Sequence, residues 1–236
     1  MTLKIENKNL PRISIIIPTY EEANNLPLLL SDLSIKNREA EIIIIDCGSK
    51  DKTIDIANIY GAKIFKSKEK NRGLQLIIGA KNARGEWFVF IHGDTRLKKD
   101  WFAKIRSFLN DDESFIYFFK FKVNNKKIIY RFLEILVDLR SYFLKTPYGD
   151  QGLLISRKNY FKNNGYSKIP LMEDLEFVKR LNKKNFKLLN IPIYTSSRKW
   201  ENNNIFSQAL KNWQLRRRWL KGESINSIYN DYYNID

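Results

Sequence analysis

The residues with the clearest chemical potential sit where an apolar run breaks. Residues 87–91 read Trp-Phe-Val-Phe-Ile, and His92-Gly93-Asp94 follow at once. An unbroken run of this kind suits a strand buried on both faces of a parallel sheet. Gly93 lets the backbone bend or approach a ligand. Asp94 then stands just past the carboxyl end of a central strand, on the rim where open α/β sheets bind ligands. A carboxylate there can hold a divalent metal or a sugar hydroxyl. Further carboxylates recur at comparable places. Glu21 follows the apolar run at residues 13–18, Asp46 ends the run at 41–45, and Glu173-Asp174 open a helical pattern where the helix dipole favours negative charge.

The elements that must position these groups follow from periodicity. Strands are expected at residues 13–18, 41–45, 63–66 and 87–91. Between them come helical patterns carrying Leu26, Leu29, Leu30 and Leu33, then residues 54–60, then 73–83. Pro18 stops the first strand because it cannot donate to a ladder. Asp51 and Thr53 are placed to cap the second helix, and Gly85 follows the third. Strands alternating with helices predict βαβ units and a mostly parallel sheet flanked by helices. Such a sheet gathers Thr19, Glu21, Asp46 and Asp94 on one rim.

The second half is less regular. A helix is expected at 101–109, a strand at 115–123, an amphipathic helix at 128–144, a short strand at 153–156 and a helix from residue 171. A basic aromatic helix at 205–220 and a Tyr- and Asn-rich tail follow. Tyr148-Gly149-Asp150-Gln151-Gly152 reads as a glycine-flanked polar loop. No internal repeat is visible.

Composition limits the classes. The chain has 236 residues and net charge +16, from 42 Lys+Arg against 26 Asp+Glu. That balance favours anionic partners such as nucleotide diphosphates, acidic headgroups or nucleic acid. The single cysteine, Cys47, excludes an internal disulfide framework and a Cys-based zinc site, and fits a reducing compartment. Residues 1–12 are polar with no signal-peptide pattern. Residues 128–144 carry Arg131, Glu134, Asp138 and Arg140, so they are expected to form a buried or surface-lying amphipathic helix, not a membrane span. Neither Gly-x-Gly-x-x-Gly nor Gly-x4-Gly-Lys-Ser/Thr is present, which argues against a dinucleotide oxidoreductase and a P-loop NTPase.

Six stretches in order resemble family 2 glycosyltransferases of GT-A fold. Residues 15–22 are similar to the opening strand and nucleotide loop. Residues 44–53 resemble the Val-Asp-Asp-Gly-Ser-x-Asp-x-Thr segment. Asn71-Arg72-Gly73, Gly79-Ala80 and Ala83-Arg84-Gly85-Glu86 resemble the helix before the metal strand. His92-Gly93-Asp94 stands where Asp-x-Asp is expected, Met172-Glu173-Asp174 resembles the Glu-Asp motif, and residues 214–219 resemble the Gln-x-x-Arg-Trp region. His92 replaces the first Asp of Asp-x-Asp, and Trp219 stands one residue late. The His-x-Asp-Thr form and short length look closest to the compact selenodomain-associated transferases.

The resemblance implies a Rossmann-like GT-A domain at 13–200 after an N-terminal tail (1–12). Its nucleotide-binding half would be 13–97 and its acceptor half 98–200, with a C-terminal basic helix and tail at 201–236. It implies inverting transfer of a sugar from a nucleotide-diphosphate sugar (a UDP- or GDP-sugar) to a hydroxyl acceptor, lipid-linked or glycan. Asp174 would be the base and Glu173 would position it or contact the acceptor. Pro18, Thr19, Glu21 and Asp46 would bind the nucleotide, together with Arg72 and Asp94. Mn²⁺ or Mg²⁺ would rest on Asp94, with His92 as a second ligand. Arg217 and Arg218 would contact phosphate, and Asp150 and Gln151 the acceptor. The single cysteine fits a cytoplasmic location, at the inner membrane face for a lipid-linked acceptor. Residues 128–144 and 205–220 have the pattern either of core-covering helices, the expected role, or of helices in peripheral contact with an anionic membrane surface.

Two rival classes remain open on sequence. A non-catalytic nucleotide-sugar-binding protein is suggested by His92. A nucleic-acid module is suggested by the charge and the 213–219 aromatic cluster, but the basic residues are scattered and no module signature appears, so nucleic acid is not expected as a partner.

Overall fold

A computed structural model describes residues 12–33, 39–196 and 205–233. Residues 1–11 of the expected tail (1–12) and the expected boundary at 200/201 lie outside the described residues. Among the described residues, eight strands form one sheet: β1 (Ile13–Thr19), β2 (Ala40–Asp46), β3 (Lys63–Lys66), β4 (Trp87–Phe90), β5 (Arg96–Leu97), β6 (Ile116–Val123), β7 (Leu153–Ser156) and β8 (Phe186–Thr195). Their spatial order is β3-β2-β1-β4-β7-β6-β8-β5. Strands β3, β2, β1 and β4 are mutually parallel. They are linked by helices α1 (Leu26–Asp32), α2 (Thr53–Ile59) and α3 (Arg72–Asn82).

The expectation of a mostly parallel sheet holds: this half is wholly parallel, and in the other half β6 pairs parallel with β8 while antiparallel pairings make the sheet mixed. Strand β7 runs antiparallel to both β4 and β6, and β5 runs antiparallel to β8. Strand β8 was not legible because Asn190 and Pro192 interrupt its apolar pattern. In the sheet, Pro192 pairs with Lys120 beside a register shift between Phe118 and Lys120, where a missing donor is tolerated. The helix expected at 101–109 is α4 (Trp101–Arg106) continued by a 3-10 turn at Ser107–Asn110. The remaining helices are α5 (Ile128–Phe143), α6 (Arg157–Lys162), α7 (Glu173–Arg180), α8 (Ile205–Leu220) and α9 (Ile225–Tyr233). The expected polar tail is therefore largely helical.

Alternation along β1 divides the core between the two faces of the sheet. Ile13, Ile15 and Ile17 pack with Leu29, Leu30 and Trp101 on one side. Ile16 packs with Ile45, Leu76, Ala80 and Phe90 on the other. Gly79 brings α3 down onto this second face, since a Cβ there would collide with side chains of Ile16 and Ile45. That approach fixes the amino end of α3 at the rim.

Glu41 ties the opposite end of the parallel half. Its carboxylate accepts from Ser14 Oγ (2.6 Å), Lys63 Nζ (2.6 Å) and the Arg84 backbone N–H (2.6 Å). Burial pushes this carboxyl up, but the three donors outweigh it and hold it below its usual value of 4.5. A carboxyl lowered by folding stabilises the protein above its unfolded pKa, and the contribution is lost as pH falls through the folded value. Glu41→Gln is therefore expected to cost about 1–3 kcal/mol at pH 7, and the gap to wild type should narrow below pH 4.5. Urea unfolding at the two pH values measures it; a gap independent of pH would count against this role.

Candidate active site

The carboxyl ends of β1, β2 and β4 meet the amino end of α3 on one rim. Past β4, the Thr95 N–H donates to the His92 carbonyl (3.2 Å), closing a tight turn that presents Gly93 and Asp94. A cleft on this side is lined by Pro18, Thr19, Cys47, Lys70, Arg72 and Asp94, with Glu22 and His92. Lys70 Nζ lies 3.8 Å from the Tyr20 ring centroid, a cation held over an aromatic face. Tyr229 and Tyr233 of α9 close the cleft from the C-terminal end of the chain.

A second part of the cleft is built at the start of α7. Met172 adopts a left-handed backbone (φ 61°), a conformation that costs energy for a residue with a side chain, and it turns the chain into Glu173 and Asp174. The Asp174 carboxylate is oriented by two backbone donors, Gly149 N–H to Oδ2 (2.6 Å) and Leu175 N–H to Oδ1 (2.7 Å). A Cβ on Gly149 would stand 3.0 Å from both Asp174 Oδ2 and His92 Nε2, a tight contact that a side chain there would make with both groups. His92 and Arg72 line both parts of the cleft. Asp94 and Asp174 therefore line adjacent pockets that meet at Arg72 and His92.

Arg72 and Glu173 join the two parts. Arg72 grips Glu173 through Nε to Oε1 and through Nη2 to Oε2 (3.1 Å), and the carboxylate is buried. Burial pushes the Glu173 carboxyl above its usual range against the pull of Arg72, with the Asp174 charge adding to the rise. Burial opposes the Arg72 charge too, but the two carboxylates more than offset it and hold the guanidinium protonated.

The placement of the expected site residues is uneven. Pro18, Thr19, Arg72, His92, Asp94, Asp150 and Asp174 line the cleft. Glu21 turns outward, exposed at φ 55°, and accepts from the Lys50 N–H; Glu22 lines the cleft in its place. Asp46 is buried in its own loop, accepting from the Gly48 and Ser49 N–H groups (2.8 Å each), Ser49 Oγ (2.5 Å) and Thr19 Oγ1 (3.0 Å). It shapes the loop that presents Cys47. Gln151 is wholly buried, its amide accepting from Ser141 Oγ (2.8 Å) and Arg140 Nη2 (3.2 Å). It braces the loop and does not face an acceptor.

The two arginines expected to contact phosphate are also displaced. Arg218 pairs with Glu223 and Asp231, and Arg217 lies over the Trp213 ring (5.3 Å). Their neighbour Arg216 is the one that lines the cleft, 4.2 Å from the Tyr148 ring centroid, with Arg140 3.5 Å from the same centroid. Burial pushes the Arg216 guanidinium down to about 10, and the nearby Arg140 charge adds to this. Sequence reasoning missed Arg140, Lys70, Tyr148 and the α9 tyrosines. The one signal for the last group was the Tyr-rich tail.

Among the described residues, no three His, Cys, Asp or Glu side chains form a metal-holding group. The donor set at the rim is sparse and hard. It includes the Asp94 carboxylate and the Glu22 side chain beside Gly93, its Cγ 3.1 Å from where a Cβ would stand, while the expected second ligand, His92, lines the same cleft with its Nε2 beside Gly149. One or two carboxylates suit a divalent cation that completes its shell with diphosphate oxygens and water.

A family model described as Glycosyl transferase family 2 matches residues 14–222. The chain belongs to this family. An uncharacterized glycosyltransferase of Rickettsia typhi is 34% identical over 146 residues, covering 59% of this chain and 42% of that protein. Among solved structures, S. aureus TarS (residues 1–349) in complex with UDP-GlcNAc superposes with TM-score 0.65 at 20% identity, covering 79% of this chain and 59% of that one. The mannosyltransferase PcManGT of Pyrobaculum calidifontis, in complex with GDP-Man and Mn²⁺, superposes with TM-score 0.62 at 15% identity, covering 88% and 61%. These likenesses show the GT-A fold. The chain spans less than two thirds of the length of each of these relatives.

The Arg72–Glu173 pair sets a measurable expectation. Arg72→Met leaves a buried carboxylate without its cation, which should cost roughly 3 kcal/mol at neutral pH. Protonating Glu173 relieves that loss, so destabilisation is expected to be larger at pH 8 than at pH 5. Denaturant unfolding at both pH values tests it; equal losses would show that the pair does not bear on stability in this way.

Proposed function

We propose that the cleft transfers a sugar from a nucleotide-diphosphate sugar to a hydroxyl acceptor with inversion at the sugar carbon. The observation that supports this reading is that Asp94 and Asp174, far apart in the chain, line adjacent pockets with Arg72 and His92 common to both. Family membership supports a glycosyltransferase, and solved neighbours hold UDP-GlcNAc or GDP-Man with Mn²⁺.

Transfer places negative charge on a departing diphosphate, and a site must meet that charge where it develops. Asp94, with Glu22 nearby, would hold Mg²⁺ or Mn²⁺, which when bound offsets that charge. Lys70 and Arg72 add fixed positive charge on the same side of the cleft. Pro18, Thr19 and Cys47 line the nucleotide half, and the ring of Tyr233 offers an apolar face to a base. Inversion requires the acceptor hydroxyl to attack opposite the leaving group while a carboxylate accepts its proton. Asp174 is that carboxylate, and its two backbone donors hold it in place. Glu173, spent on Arg72, positions the turn from which Asp174 projects. Asp150, Tyr148 and Arg216 form the acceptor-side wall, where the Arg216 guanidinium offers a positive charge to a glycan or lipid-linked acceptor bearing an anionic group.

Asp174→Asn keeps the shape of the side chain and removes its basicity. Turnover of UDP- or GDP-sugars is expected to fall by about 10²–10⁴-fold, with nucleotide-sugar affinity near wild type by calorimetry. Undiminished turnover would remove Asp174 from the role of base. Asp94→Ala is expected to abolish the part of nucleotide-diphosphate binding that depends on added Mn²⁺. Titrations with and without the cation read this directly, and unchanged cation dependence in the variant would move the metal elsewhere.

A further inference from the structure

The outer face of α5 is not used by the cleft or by the core. Ile128, Phe132, Ile135, Leu136, Leu139 and Phe143 recur at helical spacing along it, and they are between 47% and 72% exposed. Tyr142 and Leu144 extend the stripe. Contiguous apolar surface of this extent on a soluble face marks an interaction site. The expectation of a helix that is either buried or surface-lying resolves into one with a buried side and a long exposed apolar side.

Charge says what the exposed side fits. Both acidic residues of α5 point toward the protein. Glu134 is buried against Lys122 Nζ (2.7 Å), Arg131 Nη1 (2.9 Å) and the Val123 N–H (2.9 Å), and Asp138 pairs with Lys120 (3.9 Å). Exposed lysines stand at each end of the stripe. Lys126 and Lys127 precede the helix, and Lys183 reaches its far end, where its Nζ donates to the Leu144 carbonyl (3.2 Å). The outward surface is thus an apolar band framed by positive charge, with the negative charge of the helix taken inward. The helix is about 24 Å long at 1.5 Å per residue, and no described helix is long and apolar enough to cross a membrane. An element with a strong apolar face, basic flanks and insufficient length to span lies in the plane of an interface.

We propose that α5 docks on an anionic lipid surface, with its outer apolar stripe in the boundary between headgroups and acyl chains and the lysines at its two ends against anionic headgroups. The inner side of the same helix carries Arg140, stacked on Tyr148 at the cleft wall. Docking therefore sets the acceptor side of the cleft beside the lipid. The proposal stands on the surface of α5 and does not depend on the chemistry assigned to the cleft.

The test is co-sedimentation of the full chain with vesicles of phosphatidylcholine alone or with about 30% phosphatidylglycerol, the anionic component to which basic interfacial helices respond. Wild type is expected to sediment with the anionic vesicles and roughly tenfold less with the neutral ones. The double variant Phe132→Ser/Leu136→Ser should lose roughly tenfold of the anionic-vesicle affinity, and its melting temperature should hold because both side chains are exposed. Phe143→Ser, at the other end of the stripe, is the second variant, and it should weaken binding in the same direction. Absence of wild-type binding, or equal binding by all variants, overturns the proposal. So does light scattering that shows a wild-type dimer made monomeric by the variants without vesicle binding, since that result assigns the face to a second copy of the chain.

Discussion

The cleft depends on one buried ion pair. Arg72 opens α3 and Glu173 opens α7, and they are separated by about a hundred residues of chain. Each is drawn from water to meet the other. A buried carboxylate is tolerated when a cation and hydrogen bonds satisfy it, and its cost returns when the partner is taken away. The pair therefore locks the parallel half of the sheet to the helix that carries Asp174. It also brings positive charge to the middle of the cleft, because Arg72 keeps a partly exposed edge there.

A second constraint is how many polar groups are committed to loop shape. Asp46 is enclosed by four donors from its own loop and from Thr19, and Gln75 at the back of the rim donates to the Thr19 and Ile45 carbonyls (3.0 and 2.7 Å). Gln151 braces the Tyr148–Gly152 loop in the same manner. Buried polar groups must be paired, and pairing them here makes the rim rigid. The charged groups that face the cleft include Asp94, Glu22, Lys70, Arg72, Asp150, Asp174 and Arg216. Rigid presentation of a few charged groups is what charge development in a transition state requires.

Helix α5 shows a third division of labour. Its inner residues satisfy β6 and the loop before β7, while its outer residues satisfy nothing in the described protein. Tyr130, Val137 and Glu134 face inward, against Phe121 and Val123. The same helix thus couples an external surface to the wall that holds Tyr148.

The parallel half was legible in the primary order because its signals are local. Apolar runs bounded by Pro18, Asp46 and His92 mark strands whatever surrounds them, and β3 and β7 fall at the residues their patterns predict. That Asp94 and Asp174 lie at the ends of elements and line the cleft was legible because each sits where a regular element starts or stops, and such ends are visible in sequence. The tertiary structure alone decided which neighbouring groups face the cleft. Glu22 rather than Glu21 and Arg216 rather than Arg217 or Arg218 differ by one or two positions, and a one-residue step in a loop or helix turns a side chain to another side. It also decided the antiparallel insertion of β7 and the existence of β8, since pairing depends on partners distant in the chain. The Arg72–Glu173 lock belongs to the same class: nothing near either residue in the sequence announces the other, because their attraction acts only after folding has brought α3 and α7 together.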